Sequence, residues 1–128
     1  MELNQSELYE FFEIKYGHPS TTGWSPRRRL KYGYYQPADI YEATVRNLVN
    51  SDTKWIDVGG GRAVFPDNSA LAEMLANNCK KLVAVDPSEN VLENPYADEM
   101  AMCIFEDFNT EEKFDLATFE IEKRTQEN

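Results

Sequence analysis

The chain has 128 residues, of which 41% are hydrophobic, so it is long enough to bury one globular core and too short for two domains of ordinary size. Its 23 acidic and 13 basic side chains give a formal net charge of -10, which repels phosphodiester backbones and argues against nucleic-acid binding. A small cationic ligand suffers no such penalty.

The sequence has neither a charged-then-apolar leader nor an apolar run of about 18 residues, so we expect no export and no membrane insertion. The two cysteines, Cys79 and Cys103, are far apart and lack CxxC spacing, and His18 is the only imidazole. This pattern predicts no metal site and two free thiols in a reducing cytoplasm.

Residues 1–37 are predicted to form an N-terminal cap helix and a loop rich in aromatic and basic residues. Ser6 to Tyr16 has the apolar spacing of a short amphipathic helix, which Gly17 would end. In the loop, Arg27–Arg29 form either a solvated face or a clamp for an anionic group such as a carboxylate. The loop aromatics either cover the core or line the entrance to a site; they are Tyr32, Tyr34 and Tyr35.

Residues 38–121 are predicted to form an α/β domain, followed by a polar tail over residues 122–128. The domain begins with a helix in which apolar residues recur at helical spacing, and Asp39 is its predicted N-cap. This helix would end near residues 50–52 and lead directly into the first strand.

A strand, a helix and a second strand follow in order. The strands are predicted over Lys54–Val58 and Leu82–Val85, and their connection should be right-handed, which makes them parallel. Either Asn68 or Ser69 would cap the helix between them. Four helix residues should lie on one face and pack on the sheet: Leu71, Met74, Leu75 and Cys79.

Two further strands are predicted in the rest of the domain, over Met100–Phe105 and Phe114–Phe119. Turn residues at Pro87–Asn90 and a proline-limited stretch at 91–96 precede them, so no long helix is expected there. A polar turn at 109–113 separates the two strands.

The chain is organised around the stretch from Trp55 to Ala63, an apolar run that ends in Asp57 and three consecutive glycines, Gly59–Gly61. The next apolar run ends in Asp86. Neighbouring parallel strands would bring the two acids to either side of the glycine turn. Glycines directly after a strand permit positive φ angles and let a ligand approach the main chain. The alternative is a tight turn without a ligand, with Asp86 as a helix cap or a turn cap.

The glycine spacing distinguishes two kinds of nucleoside site. A dinucleotide-binding turn requires G-x-G-x-x-G, and here Val64 stands at the third glycine position. The pattern that fits is acid-x-Gly-x-Gly-x-small, given by Asp57, Gly59, Gly61 and Ala63.

In this pattern the chain resembles the class I S-adenosylmethionine-dependent methyltransferases, whose first motif is hydrophobic-hydrophobic-(Asp/Glu)-hydrophobic-Gly-x-Gly-x-Gly. WIDVGGGRA matches it except that Ala63 stands at the last glycine, which a tight turn accepts if the φ angle of Ala63 is negative. The resemblance implies that the carboxylate of Asp86, in VAVDPS, binds both ribose hydroxyls, since one carboxylate can accept both donors.

The resemblance also implies the other residues of the cofactor site. Asp57 would either hold the loop amides or approach the cationic sulfonium of the cofactor. The remaining cofactor-binding residues would be Gly59, Gly60 and Gly61 in the turn, and Pro87 and Ser88 after the second strand.

The resemblance covers residues 38–119. Phe105, Glu106 and Asp107 stand where the family contacts the adenine ring, and Phe114-Asp115-Leu116-Ala117 resembles the start of the family's fourth strand. It implies a Rossmann-like three-layer sandwich with a mainly parallel sheet. The family sheet is seven-stranded, whereas this sequence stops after the fourth strand, so the fold is expected to be incomplete.

An incomplete sheet would leave the outer edge of the fourth strand without a neighbour, and exposed edges invite pairing. We therefore expect a truncated chain, a homodimer formed through that edge, or a partner that completes the sheet.

The resemblance implies an S-adenosylmethionine-dependent methyltransferase, or its cofactor-binding half, acting on an unidentified small-molecule acceptor. No catalytic residue is identified, and His18 is a weak candidate for a general base. Methyl transfer by in-line displacement demands mainly proximity and orientation, so the lack of a base is no objection. Two alternatives stay open: a non-catalytic S-adenosylmethionine-binding remnant or regulatory subunit, and a module for NAD or another adenosine nucleotide.

Overall fold

The computed structural model describes residues 5–17 and 37–119. The chain divides into two compact units, Met1–Leu48 and Val49–Asn128. This division lies later in the chain than the predicted boundary after residue 37, so the helix after that boundary belongs to the same unit as the N-terminal helix.

Several residues with predicted roles lie outside the described part of the chain. They are His18, Arg27–Arg29, the tyrosines Tyr32, Tyr34 and Tyr35, and the tail over residues 122–128. Their roles stay predictions.

The described residues of the first unit form two helices, α1 over Gln5–Tyr16 and α2 over Pro37–Leu48. Gly17 ends α1 as predicted: its φ of 94° is one that glycine adopts readily, and its amide bonds to the Glu13 carbonyl at 2.9 Å. Proline suits the first position of α2, because an N–H there would have no partner within the helix.

Asp39 does not cap α2, so that prediction was wrong. The residue lies inside the helix and is fully buried. Its Oδ1 accepts hydrogen bonds from Lys15 Nζ at 2.7 Å and from the Tyr16 hydroxyl at 2.9 Å. Lys15 Nζ also lies 2.9 Å from Glu42 Oε1. The cap pattern is local, whereas the partners of Asp39 are 24 and 23 residues away in the sequence.

In the second unit, residues 49–119 form a four-stranded parallel sheet with the order β3-β2-β1-β4. The strands are β1 over Lys54–Val58, β2 over Lys81–Val85, β3 over Glu99–Ala101 and β4 over Leu116–Phe119. This order is that of the first four strands in the 3-2-1-4-5-6 Rossmann sheet. The predicted α/β class is therefore confirmed, and in the part of the chain that the structure describes the Rossmann-like sheet has the four predicted strands and not the family's seven.

The last two strands are shorter than predicted. β3 ends at Ala101 and not at Phe105, and β4 begins at Leu116 and not at Phe114. Part of the connection between them packs against one face of the sheet. The packed side chains are Cys103, Phe108 and Phe114, against Ile56, Val83 and Val85. The apolar residues of this connection therefore cover the sheet and do not extend its strands.

Helix α3 spans Ser69–Asn78, and Asn68 is its N-cap, as one of the two predicted alternatives. The Asn68 side chain accepts a hydrogen bond from the Leu71 N–H at 3.2 Å. The predicted buried face was wrong in two places, because Met74 is 39% exposed and Cys79 follows the helix as its extended C-cap. The buried helix residues are Leu71, Ala72 and Leu75.

Within residues 5–17 and 37–119, no helix has the length and apolar character needed to cross a membrane. The same residues contain no group of three or more histidine, cysteine or acidic side chains that could hold a metal ion. Cys79 and Cys103 are both free thiols.

Candidate functional site

The carboxyl ends of β1 and β2 lie side by side and lead into the glycines and one of the acids singled out in the sequence. Val58 pairs with Val85 in the parallel register, so Gly59 and Asp86 follow at the same edge. The Gly59 amide bonds to the Val85 carbonyl at 2.8 Å, which continues the ladder one step beyond β1. Ligands of open parallel α/β sheets bind at this edge.

Gly59–Gly61, here called the glycine corner, follows the end of β1. Gly59 and Gly61 have φ angles of 83° and 61°, which residues with a side chain rarely adopt. No described residue other than glycine has a positive φ. Ala63 therefore meets the condition under which alanine fits the last glycine position of the motif.

Asp86 directly follows β2 and holds the glycine corner. It is 7% exposed. Its Oδ2 accepts the Gly61 N–H at 2.9 Å, and its Oδ1 accepts the Ser88 N–H at 2.8 Å. Asp86 thus has the geometry of a turn cap. Because each carboxylate oxygen has about two acceptor sites, it also keeps the capacity to accept both hydroxyls of a ribose.

The turn after β2 borders the corner. Pro87 and Ser88 are exposed and directly follow Asp86. Ser88 Oγ accepts the Asn90 N–H at 3.2 Å and begins a short 3₁₀ helix over Glu89–Glu93. A Cβ placed on Gly61 would lie 4.0 Å from Asn90 Cβ, at ordinary van der Waals distance, so this helix packs beside the corner without crowding it.

Asp57, near the end of β1, is 1% exposed and lies against the glycine corner. Its Oδ1 accepts the hydroxyl proton of Thr118 at 2.6 Å. Its Oδ2 lies against Gly60, where an added Cβ would be only 2.0 Å away. The carboxylate therefore lies against the glycine corner, and its two predicted roles, to hold the loop amides or to approach the sulfonium of the cofactor, stay predictions.

The sequence analysis predicted no role in the site for Thr118 or for the indole of Trp55. Thr118 Oγ accepts the indole N–H of Trp55 at 3.0 Å and donates to Asp57. The pairing of β1 with β4 places Asp57 opposite Thr118. This register cannot be predicted from the sequence pattern of either strand alone. The sequence signal for this contact was that Thr118 stands at an alternating position of the fourth predicted strand, Phe114–Phe119.

Phe105, Glu106 and Asp107 form a short 3₁₀ helix after β3 and are all exposed. Phe105 contacts Phe119 at the end of β4, with 5.8 Å between the ring centroids. β4 lies on the side of β1 away from β2, the strand that Asp86 follows. The structure thus brings Phe105 to the β4 side of the edge, and the adenine contact of these three residues stays a prediction.

The charge and connectivity of this edge favour a cation over a phosphate. The buried carboxylates Asp57 and Asp86 both lie against the glycine corner, and they would repel an anion. In dinucleotide-binding turns the glycines lead straight into a helix N-terminus that holds the pyrophosphate. Here α3 begins only at Ser69 and is already capped by Asn68.

No protein-family model matches the chain, and comparison with curated protein sequences gave no match. A functional assignment therefore depends on the geometry of this edge of the sheet.

Proposed function

We propose that the carboxyl edge of β1 and β2 binds S-adenosylmethionine, and that the chain is a methyltransferase, or the cofactor-binding part of one, acting on a small molecule. The observation that carries the proposal is the placement of Asp86, which directly follows β2 and accepts a hydrogen bond from the glycine corner at Gly61. At that position a carboxylate can hold the ribose of an adenosyl ligand while the glycines leave the main chain accessible.

The charge of the site supports a cationic ligand. S-Adenosylmethionine has a positively charged sulfonium, and the carboxylate of Asp57 lies against Gly60 with 1% exposure. A charge in a low-dielectric interior attracts a nearby cation more strongly than the same charge in water. The carboxylate of Asp57 against Gly60 disfavours the pyrophosphate of NAD, so the nucleotide alternative has less support. Asp86 does not distinguish the two ligands, because an acid at this place also binds the ribose of NAD.

A methyltransferase needs little else from this edge. Bound S-adenosylmethionine supplies the methyl group, and the residues of the chain bind and orient it for in-line transfer. A non-catalytic chain that binds the same ligand would have the same site. Methyl transfer to any acceptor by the isolated chain would exclude that alternative.

Two further expectations belong to the proposal. β4 lies at one edge of the described sheet, where a second copy or a completing partner would pair. A monomer in size-exclusion chromatography, with slow amide exchange throughout β4, would contradict the expected pairing at this edge.

The free thiols of Cys79 and Cys103 favour a reducing cytoplasm.

Isothermal titration with S-adenosylhomocysteine tests ligand binding. Asp86→Ala removes the acceptor for the ribose diol, so we expect a loss of about 1 to 3 kcal/mol, or roughly 5- to 150-fold in Kd. Asp98→Ala is the matched control, because Asp98 Oδ2 accepts the Leu82 N–H at 2.8 Å near the start of β2. That variant also loses a bond from carboxylate to backbone, but its Kd should not change.

Because Asp86 also holds Gly61 and Ser88, its loss perturbs the corner as well as the ribose site. A 2′-deoxy analogue of S-adenosylhomocysteine separates the two effects in a double-mutant cycle. The analogue should bind the wild type more weakly than the parent ligand, with no such difference in Asp86→Ala. An equal difference in both proteins would remove the ribose role, and absence of binding to the wild type would refute the proposal.

A further inference from the structure

Three buried side chains form a hydrogen-bonded chain from β1 to β4 and back. The indole N–H of Trp55 bonds to Thr118 Oγ at 3.0 Å, and Thr118 Oγ bonds to Asp57 Oδ1 at 2.6 Å. Their exposures are 0%, 4% and 1% for Trp55, Thr118 and Asp57. Trp55 and Asp57 are two residues apart on β1, so they lie on the same face of the sheet as Thr118.

The chemistry of the three groups determines which group donates and which accepts in each of the two hydrogen bonds. An indole N–H can only donate and an ionised carboxylate can only accept. The single proton of the Thr118 hydroxyl must therefore point at Asp57, while the Thr118 oxygen accepts from Trp55. Because Thr118 donates its only hydroxyl proton to Oδ1, this hydrogen bond favours one orientation of the Asp57 carboxylate.

That orientation determines what lies against the glycine corner. With Oδ1 directed at Thr118, Oδ2 of Asp57 lies within 2.0 Å of the position that a Gly60 Cβ would occupy. A rotation of the carboxylate would change the surface on which Gly60 packs. The neighbouring Gly61 amide donates a hydrogen bond to Asp86, so a shift of the glycine corner would also change the length of this hydrogen bond.

We infer that Thr118 is a positioning residue: by orienting the carboxylate of Asp57 it holds the glycine corner in the conformation that binds the adenosyl ligand. The part of this inference that concerns the ligand rests on the proposed function. The part that concerns the corner does not, because the order of the corner can be measured without a ligand.

Thr118→Val tests the inference, since valine keeps the shape of threonine and removes the hydroxyl. Thr118→Ser restores the hydroxyl and should restore the wild-type behaviour. Thr53→Val is the matched control: Thr53 is also 4% exposed, and its Oγ accepts the Asn50 N–H at 2.9 Å just before β1. Both valine variants lose one buried hydroxyl, but only Thr118 is linked to the corner.

Two readouts are expected to change in Thr118→Val and not in Thr53→Val. The Gly61 amide should exchange with solvent about tenfold faster or more, and the Kd for S-adenosylhomocysteine should rise by a similar factor. Urea unfolding measures the loss of stability in both variants, so an effect on the corner can be told from a general loosening. If Thr118→Val does not fold, Thr118→Ala takes its place.

Unchanged Gly61 exchange in a folded Thr118 variant without the hydroxyl overturns the inference, as does an equal increase in Thr53→Val. If wild type does not bind S-adenosylhomocysteine, the proposed function fails, while the amide exchange still decides whether Thr118 positions the corner. Faster exchange with an unchanged Kd rejects the role of Thr118 in ligand binding.

Discussion

Asp57 Oδ2 occupies the space beside Gly60 that a side chain would need, since an added Cβ would lie 2.0 Å from that oxygen. Oδ1 of the same carboxylate accepts the Thr118 hydroxyl proton, so the group cannot rotate aside without losing that hydrogen bond. The need for glycine at position 60 is therefore set by the protein's own carboxylate, independently of any ligand.

Gly60→Ala should lower the free energy of unfolding by about 1 to 3 kcal/mol, the usual cost of forcing extra atoms into a packed site. In an Asp57→Ala background the carboxylate is absent and the Ala63 carbonyl oxygen, 3.3 Å from the added Cβ, is the close contact that remains, so the same substitution should cost less, under about 1 kcal/mol. Urea unfolding of the four proteins, followed by circular dichroism, measures the difference.

Gly61→Ala is the control for this cycle. Its Cβ would meet nothing closer than 4.0 Å, but its φ of 61° is unfavourable for alanine. The cost, about 1 to 2 kcal/mol, comes from the backbone and should be the same with and without Asp57. Equal costs of Gly60→Ala in the two backgrounds would contradict the steric role of Asp57.

Asn68→Ala should destabilise the protein by about 1 kcal/mol, because it removes the cap that accepts the Leu71 N–H at the start of α3. Asn68→Asp keeps an acceptor at that position and should retain most of the stability. Ser69→Ala, an exposed change next to the cap, should stay within about 0.5 kcal/mol of wild type. Thermal and urea unfolding measure all three; a loss as large for Ser69→Ala as for Asn68→Ala would be inconsistent with the cap.

The central strands could be predicted from the sequence because their signals are local. The observed β1 has the predicted bounds, Lys54–Val58, since an apolar run is bounded there by turn residues on both sides. The parallel pairing with β2 followed from the helix between them. The turn at Asp86 and the positive φ of Gly59 follow from the same short stretches.

The remaining features depend on residues that are distant in the sequence. Phe114 has the pattern of a strand residue but packs on the face of the sheet, and periodicity cannot distinguish these two kinds of burial. Asp39 looks like a cap, yet its partner Lys15 lies on another helix. Thr118 meets Asp57 only because β4 pairs with β1 in one particular register.

Cys79 should react slowly with iodoacetamide at neutral pH. Burial raises the pKa of its thiol, and the negative charge of Asp98 raises that pKa further. Since the thiolate is the reactive form, the rate should keep increasing above pH 9.0, the ordinary thiol value. A Cys103→Ser background isolates Cys79, and mass spectrometry follows its alkylation. In that background Asp98→Asn should speed the reaction, and an unchanged rate would exclude the effect of Asp98.

Among the described residues of the first unit, Lys15 should contribute more to stability than any other charged residue. Its side chain is 6% exposed and lies between Asp39 and Glu42, at 2.7 and 2.9 Å from their oxygens. Lys15→Met keeps the length of the side chain but leaves two buried carboxylates without their cation, which should cost about 3 to 5 kcal/mol. Arg46→Met is the control: its partner Glu10 is exposed, so the cost should stay under about 1 kcal/mol.

The effect of Lys15 should also depend on pH in one direction. Burial alone lowers the pKa of Lys15, but hydrogen bonds and charge from Asp39 and Glu42 outweigh it, so the pKa is raised overall. A raised pKa means that the folded state binds the proton more tightly than the unfolded state, whose lysine titrates near 10.5. The stabilisation is therefore complete below that pH and is lost as the pH rises through the higher folded value. Urea unfolding should show a constant difference between wild type and Lys15→Met up to about pH 9 and a shrinking one above pH 10.5. A difference that shrinks towards acid within the neutral range would contradict this assignment.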